Sequence, residues 1–213
     1  MASIYQDNLI RLEDGKYYNQ KDLEYYPKFN KRETLSYSDF KESTKKYSLF
    51  IKDSHGEPEP YNILLELLNI NSNIDVVYLE YPPNSIQSES LNQFLANEIT
   101  IDAFFEKYVS IIYRCELITR KKIVEFEKAF KETFNTIAYK FVNEGLKVEG
   151  IDDWSETNKN TDRIRRNYIM AKNVDTNKNS IFLCGGFHFE TIFALQDHID
   201  PDLLDIYLFE DNF

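Results

Sequence analysis

What this 213-residue chain has little of narrows its class first. It carries two cysteines, Cys115 and Cys184, one in an expected helix and one in an apolar run. Two such thiols make no disulfide framework and suit a reducing compartment. The chain lacks a basic stripe: its 25 Lys and Arg are scattered among 36 Asp and Glu, for a net charge of −11. The electrostatic footprint of a phosphate-backbone binder is therefore missing, and no nucleic-acid partner is expected. No apolar run approaches the ~20 residues that cross a bilayer, and "MASIYQDNLIRLEDGKYY" has charges where a secretory signal needs an unbroken apolar stretch. A soluble, cytoplasmic chain with no membrane span is the expectation. Internal repeats and low-complexity tracts are absent too.

What is present suffices for one sizeable core. The chain is 42% hydrophobic with 16 Phe and 15 Tyr, and its length favours a single domain with extras. Residues 1–46 are polar and rich in Tyr and Lys without a sustained period, and read as an irregular arm or a few short helical turns. The core domain is expected over 47–213. "YSLFI" (47–51) reads as a strand, and "YNILLELLNIN" (61–71) follows with apolar residues at helical spacing behind Pro60, a good first-turn residue. "IDVVYLEYPP" (74–83) suits a strand buried on both faces, closing a βαβ unit.

Residues 101–143 carry an apolar stripe at helical spacing, broken once near Thr119, which predicts one or two long amphipathic helices ending at Gly145. "LKVEGID" (146–152), "SIFLCGG" (180–186) and "LLDIYLF" (203–209) predict further strands, with helices over 162–174 and 189–199. Strands alternating with helices predict an α/β fold with a mainly parallel central sheet flanked by helices.

Ligands of such sheets bind beyond the carboxyl ends of the strands, and polar residues collect there: Asp53 and His55 after the first core strand, Glu80 after the second, Asp152 after the third and His188 after the fourth. Two His and a Glu held together can bind a divalent metal (Mn, Co or Zn) and activate its water. They can also act without metal, with one His as general base and the carboxylates setting its tautomer. Both routes lead to hydrolysis. Arg166 then balances the carboxylates or stabilises an oxyanion, and Gly185 and Gly186 allow a close backbone approach to a substrate.

The ordered set "DSHGEP", "VVYLE", "VEGIDDW", "RRNYIMAKNV" and "IFLCGGFH", over roughly residues 47–200, resembles the superfamily of erythromycin esterases, ChaN-like haem-binding lipoproteins, TIKI and TraB proteins. That superfamily also includes toxin domains such as the Ras/Rap1-specific endopeptidase. By position, the resemblance implies that Asp53 and His55 are the acidic residue and His of the first motif, Glu80 the strand-end Glu, and His188 the His of the Gly-x-x-His motif opened by Gly185. Arg165 or Arg166 matches the family Arg, and Arg166 is preferred. The sequence departs where Lys52 replaces the usual Gly and where Asp53 is shorter than the usual Glu.

The implied function is hydrolysis of a peptide or ester bond in a peptide, protein or small ester, with peptidase ahead of esterase. Catalysis is expected from His55, Glu80, His188, Asp53 and Arg166, with substrate contacts from Glu57, Asp152, Gly185 and Gly186. The chain is then cytoplasmic, or a module of a secreted bacterial effector acting in the host cytosol. Two other classes stand beside this one: a binding domain that has kept the fold and lost the chemistry, which Lys52 and Asp53 favour, and haem or metal carriage, which the many tyrosines permit.

Blander roles compete residue by residue. In that reading Glu57 and Glu59 only favour the start of a helix, and Asp152 and Asp153 only form a cap or turn. Cys184 reads as a buried thiol and His198 as structural. Trp154 is a lid or a core anchor.

Overall fold

The computed structural model describes residues 9–11, 17–19, 47–53, 56–70, 73–81, 83, 85–113, 120–152, 163–188, 195, 199 and 205–208. Its centre is a five-stranded, all-parallel sheet in the order β5-β4-β6-β3-β7. The strands are β3 (Tyr47–Asp53), β4 (Val76–Leu79), β5 (Lys147–Gly150), β6 (Ser180–Gly185) and β7 (Asp205–Leu208). The helices are α1 (Glu59–Ile70), α2 (Ile86–Leu95), α3 (Ile101–Tyr113), α4 (Arg120–Glu144) and α5 (Arg163–Lys172). The expected α/β class is therefore observed. No helix among the described residues is long and apolar enough to cross a membrane.

Strand position explains strand composition. β4 and β6 lie inside the sheet and are buried at every residue, as parallel strands covered on both faces must be. β5 lies at an edge and alternates between half-buried and exposed. Along the inner strands alternate residues enter different layers. Leu49, Ile51, Val77, Leu79, Ile181 and Leu183 pack with the helices α1 to α4, through Leu64, Leu91, Phe104, Phe126, Phe130 and Phe134. Phe50, Val76, Tyr78, Phe182 and Cys184 pack on the other face with Met170 of α5, Leu195 and Ile199.

The connections fix where a site can form. The chain leaves β4 towards the β5 edge across the α1–α4 face, and leaves β6 towards the β7 edge on the α5 face. The adjacent strands β4 and β6 thus send their connections in opposite directions. A crevice opens at such a reversal, beyond the carboxyl ends.

Several expectations are corrected or completed. The first 46 residues were expected to be irregular or helical, yet Leu9–Arg11 (β1) and Tyr17–Asn19 (β2) pair as antiparallel strands. At three residues each they are too short to show a period of two. Helix α2 has no counterpart among the expected elements; Ser85 caps it, its side chain accepting from Ser88 N at 3.2 Å. Gly145 does end α4: it takes φ +74°, the left-handed conformation common just after a helix, and Leu146 N–H reaches back to Lys140 O at 3.3 Å. Most of the expected 189–199 helix, including His198, lies outside the described residues, as do Cys115, Asp153 and Trp154.

Candidate functional site at the ends of strands β4 and β6

Glu80 follows the last residue of β4 and sits at the crevice. Its Oε1 lies 2.9 Å from His188 Nε2 and accepts from Arg166 Nη2 at 3.1 Å, and its Oε2 accepts from the Gly185 N–H. One carboxylate thereby ties β4 to β6, to the 3-10 turn Gly186–His188 and to α5. Of these partners, Arg166 and the Gly185 N–H can only donate.

His188 is 2% exposed and held at both ring nitrogens. Its Nδ1 lies 2.5 Å from Asn167 Oδ1, and Asn167 Nδ2 donates back to His188 O at 3.4 Å. The second bond orients the Asn amide, so Nδ1 carries a proton and donates it. Nε2 and Glu80 Oε1 then share one proton between them: imidazolium against carboxylate, or imidazole against carboxylic acid.

Arg166 forks onto Asp152, with Nε to Oδ1 at 3.0 Å and Nη2 to Oδ2, besides its bond to Glu80. Asp152 is 1% exposed and follows Ile151, whose side chain anchors the segment in the α5-side core. Burial opposes the Arg166 charge, but the hydrogen bonds and attraction of Asp152 and Glu80 outweigh it and raise the guanidinium above its ordinary value. A buried acid paired this way is a positioning group.

Asp53 faces a different space. It lies on the layer of Leu49 and Ile51 and lines a cavity of about 20 Å³ with Tyr61, Tyr81, Tyr108, Phe134, Leu79, Leu183 and Glu80. Tyr61 and Tyr108 hydroxyls are 2.8 Å apart. Burial pushes both phenols well up, and the Asp53 charge adds to the shift. Glu80 thus stands between an ion-pair network on the α5 side and a tyrosine-lined cavity on the other.

The sequence-expected residues fall as follows. Glu80, Asp152, Arg166, Gly185 and His188 come together, while Asp53 points to the tyrosine cavity that Glu80 shares. His55 lies outside the described residues, as does the side chain of Arg165. Glu57 is half-buried just before α1. At Gly186, expected to allow a close approach to a substrate, the Lys52 side chain lies over the bare Cα. Asp152 is likewise turned towards Arg166 and buried, which makes it a support for the site. Cys184 is fully buried, and burial raises its thiol far above the ordinary value, against a nucleophilic role.

Two residues of the candidate site escaped sequence reasoning. Asn167 directly follows Arg166, and the pair "RN" at the head of a helix that precedes the His-bearing strand was the available signal. Tyr81 sat unremarked beside Glu80.

Of the donors expected to hold a divalent metal, Glu80 and His188 are described and His55 is not. Glu80 and His188 have their oxygens and nitrogens in hydrogen bonds, and the Arg166 guanidinium is one of the partners of Glu80. Among the described residues, no group of three or more His, Cys, Asp or Glu is disposed to hold a metal ion. No family model, curated protein or solved structure matches the chain.

Proposed function

We propose that the chain is a hydrolase of peptide or ester bonds, peptide ahead of ester, with Glu80 and His188 as its acid–base pair. The observation that carries this reading is the His188–Glu80 contact, 2.9 Å long, with Asn167 fixing the opposite ring nitrogen. A proton held between an imidazole and a carboxylate can pass to a leaving group and be regained from water. The pair sits at the strand reversal where α/β sheets hold ligands. Arg166 supplies the fixed positive charge that lets Glu80 and Asp152 lie near each other. The motif order shared with the erythromycin-esterase, ChaN-like, TIKI and TraB group supports the same chemistry. A metal-assisted version requires Arg166 to leave Glu80, and metal addition tests it.

A second reading has its own observation. Both nitrogens of His188 and both oxygens of Glu80 are already engaged, and the ring is almost wholly buried. That is also how a structural network looks in a binding domain without turnover.

Activity against a panel of peptides and esters separates the two, measured for wild type, His188→Ala and Glu80→Gln, with EDTA and with added Mn²⁺, Co²⁺ or Zn²⁺. The hydrolase reading expects turnover that drops ~10²-fold or more in either variant while circular dichroism stays native. Turnover unchanged in folded His188→Ala, or absent from wild type across the panel under every condition, leaves the binding domain.

A further inference from the structure

The cavity beside Asp53 has features that the acid–base pair does not use. Its wall combines two carboxylates, Asp53 and Glu80, with three tyrosines, Tyr61, Tyr81 and Tyr108, and among the described residues that line it there is no Lys or Arg. Tyr81 is 5% exposed, and its hydroxyl is buried with no hydrogen-bond partner among the described residues. An orphaned buried hydroxyl is costly, and a ligand that reaches it removes the cost. Neither carboxylate is sealed off completely: Asp53 keeps 6% of its surface exposed and the Glu80 side chain 12%.

Size and charge narrow the ligand. About 20 Å³ is room for one water-sized group, since roughly 10–15 Å³ holds one such probe. An ammonium group has that size, donates hydrogen bonds in three directions, and is attracted by carboxylates and by tyrosine rings. A guanidinium is too large and planar, and an anion meets two like charges. Phenolic oxygens and carboxylates are all acceptors for such a donor.

We propose that this cavity is a recognition site for a primary ammonium group, carried on a lysine-type side chain or on a small amine. Asp53 supplies the charge, Tyr81 the acceptor that lacks a partner, and the Tyr61–Tyr108 pair a polar wall. The inference concerns binding and stands whether or not Glu80 and His188 turn a substrate over. On the hydrolase reading it gives the substrate a lysine-type side chain held beside the reacting pair.

The test is ligand-observed NMR and calorimetric titration of the full chain with n-butylammonium, Nα-acetyl-lysine amide and glycinamide. Butanol and n-propylguanidinium are the controls, and the titrations are repeated on Tyr81→Phe and Asp53→Asn. The expected result is saturable binding of butylammonium, at least tenfold weaker for butanol and propylguanidinium and at least tenfold weakened by Asp53→Asn. Tyr81→Phe gives two effects of opposite sign: the empty protein melts at the same or a higher temperature, and butylammonium binds several-fold more weakly. That pair keeps the test decisive if Asp53→Asn fails to fold.

Acetyl-lysine amide binding without glycinamide points to a side-chain ammonium; both binding points to amines in general. Equal binding of butanol, no saturable amine binding, or amine binding indifferent to Tyr81→Phe overturns the proposal. The cavity then holds water, or amines bind elsewhere on this acidic surface.

Discussion

Lys52 covers Gly186: a Cβ on the glycine would stand 2.3 Å from Lys52 Cε and 2.9 Å from its Cγ. The two residues lie on the neighbouring strand ends of β3 and β6, with Lys52 aligned to Cys184. Lys52, in the first of the two His-bearing stretches, therefore has a packing partner in the second.

Gly186→Ala and Gly150→Ala should differ sharply in stability. At Gly186 the obstacle is an exposed, flexible side chain that can swing away, so the cost is about 0.5 kcal/mol. At Gly150 the new Cβ meets Tyr81 O at 2.4 Å and the Tyr81 ring at 2.5 Å. Backbone and a buried ring must move there, at a cost of about 1–3 kcal/mol. Urea unfolding of both variants checks the contrast, and equal midpoints would refute it.

Asn167→Leu should release the tautomer of His188 without unfolding the protein. In the wild type, ring ¹⁵N shifts are expected to show a protonated Nδ1, because Asn167 Oδ1 accepts there. In the variant both tautomers appear, and any turnover falls more in kcat than in KM. A wild-type Nδ1 that carries no proton means that the Asn amide is turned the other way, and the shared-proton argument at Nε2 fails with it.

Arg166→Leu removes the cation that Glu80 and Asp152 share. Asp152 has no exposed side-chain surface and Glu80 little, so the loss leaves buried like charges together, at about 3–5 kcal/mol. Arg166→Lys keeps the charge and loses the fork, with an intermediate effect. Pairing Arg166→Leu with Asp152→Leu should recover part of the stability. If Arg166→Leu costs no more than Arg166→Lys, the charges are not what Arg166 contributes.

The fold was legible where the periodicity was long or the run wholly apolar. β4 and β6 are continuous apolar runs because helices cover them on both sides, and the α4 stripe spans many turns. Strand order carried no signal in the sequence, so the neighbouring ends of β4 and β6 could be expected from topology but not assigned. Glu80 and His188 were legible because each is a polar residue beside an apolar run, whereas Arg166 came from the motif resemblance, with Arg165 as its alternative. Asn167 was not legible, since a buried Asn on a helix looks like any surface Asn until its partner is known. Strand alternation sends Asp53 to the layer of Ile51, and a period of two gives no face until the covering helices are placed. Helix α2 was hidden by its Ser-rich first turn, where Ser88 and Ser90 are buried polar residues rather than the apolar ones a stripe requires.

The buried tyrosines set an alkaline limit on the fold. Burial raises Tyr78 to about 12, and raises Tyr61, Tyr81 and Tyr108 well above their ordinary value, with Asp53 adding to the shift at Tyr61 and Tyr108. A phenol is neutral below its pKa. At pH below ~10 the folded and unfolded chains hold the same phenolic protons, and this contribution to stability is fully present. Above ~10 the unfolded chain loses protons that the folded chain keeps, so stability falls as pH rises, with the Tyr78 share exhausted near 12. Tyrosinate absorbance should therefore rise in two phases. Exposed phenols titrate near ~10 with native circular dichroism, and the buried group appears later, together with loss of the helical signal. A single phase near the ordinary value, completed while the helices remain intact, would show that the tyrosines around Asp53 are open to solvent, and the enclosed cavity would go with them.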